Sequence, residues 1–241
     1  MKSVLITGAS RGIGRELALA FGKAGYAVGV NYHKEKAKAE AVVQEIYEAG
    51  NKEAEIFEAD VRDSLKVRQM IDAALVRWKR LDVLVNNAGL TRDRTLLKMT
   101  NGEWNDVIDT NLSGVFWCLR EASRVMSQEK RGAIINIASL MGVKAGFGNV
   151  NYAAAKAGVI ALTKGAAREL GRFHIRVNAV LPGYHRTGMA SGLSEELHQS
   201  VLKEHVLGQS TKMADLCKMV LDLAENQSIS GQVFNIDSRI L

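Results

Sequence analysis

Thr7-Gly8-Ala9-Ser10-Arg11-Gly12-Ile13-Gly14 is the stretch on which the fold turns. A short apolar, β-branched run at 3–7 leads into it, and an amphipathic segment at 14–23 leaves it at once. A strand that passes through glycines straight into a helix is the opening of a βαβ unit. One reading is a tight turn that needs glycines only for its geometry. The other is a phosphate cradle: the three glycines let backbone N–H groups and the helix N-terminus approach a pyrophosphate. The spacing departs from G-x-G-x-x-G, so both readings stand on this stretch alone.

Outward from the turn the same alternation continues. Strand-like runs fall at 27–32, 55–59, 81–85, 133–138, 175–181 and 232–236. Helical patterns fall at 35–49, 64–79, 103–128, 150–171 and 214–224. Near-continuous apolar strands separated by helices imply an α/β fold, a Rossmann-type doubly wound parallel sheet of about seven strands with helices on both faces. With 241 residues, one proline (Pro182) and no Pro/Gly/Ser-rich linker, residues 1–241 read as a single domain. Residues 183–212 are poorly patterned and follow the sixth strand, where open α/β sheets bind ligands; they are a candidate substrate lid.

Hydrophobic residues at 47% and charged residues at 24% exclude disordered, collagen-like and coiled-coil classes. The two cysteines, Cys118 and Cys217, sit in no CxxC or His-spaced cluster, so no metal is expected and both read as small buried hydrophobes. No apolar run approaches membrane-spanning length, and residues 1–6 are too short for a signal-peptide core; a soluble, cytoplasmic protein is expected. The net charge of +6 is spread over both halves of the chain, which argues against nucleic acid and leaves an acidic small molecule or protein as partner.

The second strand ends Val30-Asn31-Tyr32-His33-Lys34, without the carboxylate that would bind an NAD ribose. Arg11 stands in the glycine turn, where a guanidinium can meet a 2′-phosphate. Solvated surface charge is the plain alternative for Arg11 and Lys34. Missing acid and present base together favour NADP(H).

Tyr152 and Lys156 lie one helical turn apart on one face. A phenol ordinarily titrates near pH ~10, and a close cation would lower it towards useful acid–base work. Ser139 ends the strand at 133–138, where its hydroxyl can reach the same substrate oxygen. Tyr and Lys at this spacing also occur as surface decoration, so the pair gains meaning only beside the nucleotide-type turn and the serine.

Taken together the motifs resemble those of the short-chain dehydrogenases/reductases over essentially the whole chain. Residues 7–14 are similar to that family's TGxxxGIG turn, Asp60-Val61 to its adenine-contacting pair, and Asn86-Asn87-Ala88-Gly89 to its NNAG strand end. Asn111, Ser139, Tyr152 and Lys156 fall where its catalytic tetrad falls, and Pro182-Gly183 with His185 and Thr187 resembles its nicotinamide-holding segment. The resemblance implies Tyr152 as proton donor and Lys156 as modulator of its pKa and binder of the nicotinamide ribose. It implies Ser139 as orienter of the carbonyl and Asn111 as holder of a relay water. It implies a cofactor site drawn from Gly8, Ser10, Arg11, Gly12, Ile13, Gly14, Asn31, Tyr32, Asp60, Val61, Asn87, Ala88, Gly89, Tyr152, Lys156, Pro182, Gly183, His185 and Thr187. A homotetramer is expected on the same ground.

Within the family, residues 151–158, Thr163-Lys164 and the segments at 176–180 and 229–233 most resemble β-ketoacyl-ACP reductases, which act on 3-oxoacyl thioesters carried on an acidic acyl carrier protein. Lys130, Arg131, Arg168 and Arg172 are candidate carrier contacts, or else a solvated helix face. The last third departs from that pattern: Gly188 replaces a common acidic residue, residues 207–213 lack the usual Arg and Pro, and Ser238-Arg239 replace a glycine pair. Reduction of another ketone with the same chemistry, and a non-catalytic dinucleotide-binding role, are the alternatives.

Overall fold

The computed structural model describes residues 1–185 and 194–240. Its strands are β1 (Ser3–Ile6), β2 (Ala27–Tyr32), β3 (Ala54–Glu58), β4 (Val83–Asn86), β5 (Gly132–Ile137), β6 (Ile175–Leu181) and β7 (Val233–Asn235). Helices α1 (Gly12–Lys23), α2 (Lys36–Glu48) and α3 (Ser64–Trp78) connect the first four strands. Helices α4 (Asn101–Ile108) and α5 (Gly114–Gln128) precede β5; the short α6 (Met141–Lys144) and long α7 (Val150–Leu170) follow it. Helices α8 (Glu195–Lys203) and α9 (Met213–Glu225) lie between β6 and β7.

All seven strands pair in parallel in the order β3-β2-β1-β4-β5-β6-β7. The order reverses between β1 and β4, which opens a crevice beyond their carboxyl ends. The glycine turn leaves β1 there, and Asn87-Ala88-Gly89 leaves β4 there. Successive side chains of a strand face opposite ways, so each strand feeds two cores. Val4 and Ile6 pack with Leu17 and Phe21 of α1, Ile46 of α2 and Leu216 of α9. Leu5 packs with Leu84, Ile71 of α3 and Met126 of α5 on the other face. Burying a side chain of this size stabilises the fold by roughly 1.5–3 kcal/mol.

Local signals fix the helix ends. Asp63 caps α3 by accepting from the Leu65 and Lys66 amides at 3.0 and 3.1 Å. Thr100 and Glu103 form a capping box on α4. Arg176 of β6 donates to the Leu223 and Ala224 carbonyls at 2.5 and 2.7 Å, satisfying the end of α9 with a cation.

The expected helix over 103–128 is interrupted. Asp109–Ser113 forms a π turn in which the Gly114 amide reaches back to the Asp109 carbonyl. Two close approaches hold the interruption: the Asn111 side chain bonds the Leu90 backbone, and Gly114 presses on Val61, where an added Cβ would come within 2.8 Å. Neither signal is periodic, so hydrophobic spacing does not reveal it. Helix α6 and helix α8, within the poorly patterned stretch, are likewise elements the periodicity does not foretell. No helix among the described residues is long and apolar enough to cross a membrane.

Candidate active site

The glycine turn is built for close approach. Gly8 and Gly12 take φ of +62° and +57°, the left-handed region that glycine enters without penalty. A Cβ on Gly14 would stand 2.5 Å from both Asn87 Nδ2 and the Gly8 carbonyl, so only glycine lets α1 start this near the turn. The first turn of α1 holds no acidic residue, and its N-cap, Arg11, makes no side-chain cap. Amides at a helix N-terminus left this way suit an anion such as a pyrophosphate.

Side chains around the turn brace it. Asn31 Oδ1 accepts from the Gly8 amide at 3.1 Å, while Nδ2 donates to the Phe57 and Ala59 carbonyls, both at 3.1 Å. Asn87 Nδ2 donates to the Thr7 and Gly8 carbonyls at 2.9 and 3.1 Å, and Thr7 Oγ1 accepts from the Asn87 and Ala88 amides. The Tyr32 hydroxyl is turned to Glu58 at 3.2 Å, and the Val61 side chain is buried. Asp60 is held by Arg62, with Nη2 at 2.7 Å; burial pushes its carboxyl up, but the Arg62 bonds win and hold it low. Arg11 projects to solvent at the mouth of the turn, 3.3 Å from Glu35. Ser10 and Ile13 line the turn half-buried, and Gly89 packs beside Asn111.

Across the crevice the β5 end and α7 bring Ser139, Tyr152 and Lys156 together. The Ser139 hydroxyl accepts from the Met141 amide at 3.2 Å and faces the Tyr152 phenol closely enough to lower its pKa. Lys156 is buried, donates to the Ile137 carbonyl at 2.6 Å, and lies 5.7 Å from the Tyr152 ring centre. Burial pushes its pKa down to about 8. The expectation that Lys156 lowers the Tyr152 phenol is corrected here. Burial raises that phenol, the Ser139 hydroxyl lowers it, the Asp93 carboxylate raises it, and the net direction is up.

Asn111 stands apart from this trio in one respect. Its Oδ1 accepts from the Leu90 amide and its Nδ2 donates to the Leu90 carbonyl, both at 2.8 Å, so one donor and one acceptor of the amide hold the backbone. Beyond β6, His185 Nε2 lies 2.7 Å from the Pro182 carbonyl and burial lowers its pKa. Gly183, at φ +82°, packs so closely on Thr211 that a Cβ would overlap the hydroxyl. Thr187 lies outside the described residues. Among the described residues no cluster of ligands suits a metal ion.

Sequence reasoning missed Asn151. It is fully buried, accepts from the Tyr152 amide at 2.8 Å, and donates to the Arg92 and Glu103 carbonyls at 3.0 and 3.2 Å. With the Arg94 amide on the Gly148 carbonyl at 2.7 Å, it fastens the segment after β4 to the start of α7. Its place before Tyr152 was the available signal, but the bonds are not readable from spacing.

A family model described as short chain dehydrogenase matches residues 2–198. The chain belongs to the short-chain dehydrogenase family. It is an oxidoreductase acting on a CH–OH or C=O group, of a family that works with a nicotinamide dinucleotide. It is 46% identical over 238 residues to the 3-oxoacyl-[acyl-carrier-protein] reductase FabG of Staphylococcus aureus strain Mu50, covering 98% of this chain and 96% of that one. It is 43% identical to the 3-oxoacyl-[acyl-carrier-protein] reductase of Synechocystis, over 97% of this chain and 94% of that one. Among solved structures, ElxO with NADP bound superposes with a TM-score of 0.89 at 32% identity, covering 98% and 97% of the two chains.

Proposed function

We propose that the chain is an NADPH-dependent reductase of 3-oxoacyl thioesters, working as one domain over residues 1–241. The convergence of Ser139, Tyr152 and Lys156 at the β5 end of the crevice carries the reading, and the reductases it matches at 46% and 43% identity supply the substrate class.

The residues fit a dinucleotide: a glycine turn that no Cβ could enter, free first-turn amides on α1, and one exposed guanidinium at the mouth. Bound there, the dinucleotide supplies hydride to the carbonyl carbon. Tyr152 then gives its phenolic proton to the carbonyl oxygen; a phenol pushed up by burial is held protonated, as a donor must be. The Ser139 hydroxyl donates to the same oxygen and steadies charge as it develops. Lys156 offers buried positive charge beside the phenolate left behind and a donor for a ribose hydroxyl. Arg11 meets the 2′-phosphate once it leaves Glu35. The described residues 183–185 and 194–212 follow the carboxyl end of β6 and would cover the carbonyl.

A carrier protein of acidic surface would dock beside α7. Arg131 is engaged by Glu129 at 3.0 Å and Arg172 stacks over Phe173, while Arg168 and Lys164 flank an open groove with Gln232. Following NADPH oxidation with an acetoacetyl thioester and with a simple ketone tests the reading. Preference for the thioester supports it; turnover of the ketone alone moves the substrate class, and no turnover of any carbonyl overturns it.

A further inference from the structure

The C-terminal segment carries a buried charged cluster that the reduction chemistry does not use. His205, just past α8, places Nδ1 3.2 Å from Asp237 Oδ1 and 3.1 Å from Ser238 Oγ. Both the His205 and Asp237 side chains are closed to solvent. Arg239 donates Nε to Asp237 Oδ2 at 2.8 Å, and its Nη2 bonds the same oxygen. The Arg239 amide bonds Asp237 Oδ1 at 2.8 Å, and Asn235 Nδ2 closes the turn on the Arg239 carbonyl at 3.1 Å. His205 Nε2 is buried with no hydrogen-bond partner among the described residues. An orphaned ring nitrogen is costly, so the Nδ1 side dictates where this imidazole sits.

Ser238 and Arg239 each add a side-chain bond to the cluster, the hydroxyl to His205 and the guanidinium to Asp237.

It also reaches the carbonyl end of the crevice. The Asp237 carboxylate acts on His185, which is bonded to the Pro182 carbonyl. Thr211 Oγ1 donates to the Ile236 carbonyl at 3.2 Å and fills the space beside Gly183. The Tyr184 hydroxyl pairs with His198 Nδ1 of α8 at 3.0 Å, and the Val206 amide bonds the Ser238 carbonyl at 3.3 Å. The turn after β6, the α8 segment and the C-terminal tail are thus closed into one unit around Asp237.

We propose that His205, Asp237, Ser238 and Arg239 are positioning residues that clasp the α8 segment to the C-terminal tail and so set the affinity for the carbonyl substrate. The proposal rests on the reductase reading above. None of the four touches the reacting atoms, so the clasp governs KM and leaves proton transfer alone. Burial makes it unforgiving: removing one partner of a buried charged pair leaves the other uncompensated.

The test uses full-length Asp237→Asn and His205→Gln, with Ser238→Ala as a variant that deletes one hydrogen bond and keeps the charges. Hydrogen exchange at residues 204–208 is measured without substrate, then NADPH affinity, then KM and kcat for an acetoacetyl thioester. The clasp requires exchange to rise roughly ten-fold in Asp237→Asn. KM should rise about ten-fold, with kcat and NADPH affinity within roughly two-fold. If Asp237→Asn does not fold, Ser238→Ala should still show the same pattern at smaller size. Unchanged exchange in a folded variant overturns the clasp, and so does a fall in kcat at constant KM. If the wild-type chain reduces no carbonyl, the reductase reading fails, and the exchange result alone decides whether the clasp stands.

Discussion

The Lys156 ammonium bonds the Ile137 carbonyl at 2.6 Å and stands 5.7 Å from the centre of the Tyr152 ring. It is a buried charge satisfied by backbone, one turn along α7 from the phenol it serves. Its folded pKa is about 8 against an ordinary 10.5, so above pH 8 the folded chain releases a proton that the unfolded chain keeps. Stability should therefore rise with pH through this window, relative to a Lys156→Met variant that has no such group. The relative gain is about 2 kcal/mol by pH 9.5 in the ligand-free protein. Urea unfolding of both proteins at pH 7 and pH 9.5 checks it; parallel profiles would contradict the burial of this charge.

Asn151 should behave as a positioning residue. Asn151→Ala removes the acceptor for the Tyr152 amide and both donors to the Arg92 and Glu103 carbonyls. A loss of roughly 1–3 kcal/mol in stability follows from the buried groups left unpaired. Because Tyr152 loosens, kcat should fall about ten-fold with little change in KM. A stability loss with unchanged kcat at a temperature where the variant is folded would make the role purely structural.

Gly183→Ala should fail for two separable reasons. The residue sits at φ +82°, and its new Cβ would overlap Thr211. Adding Thr211→Ala removes the 2.0 Å overlap with the hydroxyl but leaves the Thr211 Cβ at 2.8 Å and the backbone strain, so the double variant should recover only part of the lost thermal stability. Simple additivity of the two substitutions would show that the contact is not the cause.

Glu35 holds the Arg11 guanidinium at 3.3 Å, where a phosphate would compete with it. Arg11→Ala should raise KM for NADPH about ten-fold and leave KM for NADH nearly unchanged. Glu35→Gln should free the guanidinium and lower KM for NADPH by roughly two-fold, an effect that fades at high salt. Equal losses for both dinucleotides in Arg11→Ala would remove the argument for NADPH.

The sheet was almost fully legible. Strands expected at 27–32 and 175–181 form at Ala27–Tyr32 and Ile175–Leu181, because buried parallel strands are written as unbroken apolar runs. The glycine turn and the Ser139, Tyr152 and Lys156 constellation were legible because each has a fixed place on a strand end or helix face. The π turn at Asp109–Ser113 was not, since it depends on where Asn111 finds Leu90 across the fold. The side-chain duties of Asn31 and Asn87 were likewise hidden. Both stand in cofactor-like motifs, and both spend their amides on the glycine turn. The direction of the Tyr152 shift was misjudged because spacing gives a Tyr–Lys pair no depth, and depth decides it.

The proton donor is the centre of the account, and Tyr152→Phe is its most direct test. The substitution keeps the ring and removes the hydroxyl that faces Ser139. With an acetoacetyl thioester and saturating NADPH, kcat should fall by about 10²–10⁴-fold while NADPH binding, read by fluorescence, stays within about two-fold. Turnover that survives Tyr152→Phe undiminished would contradict it.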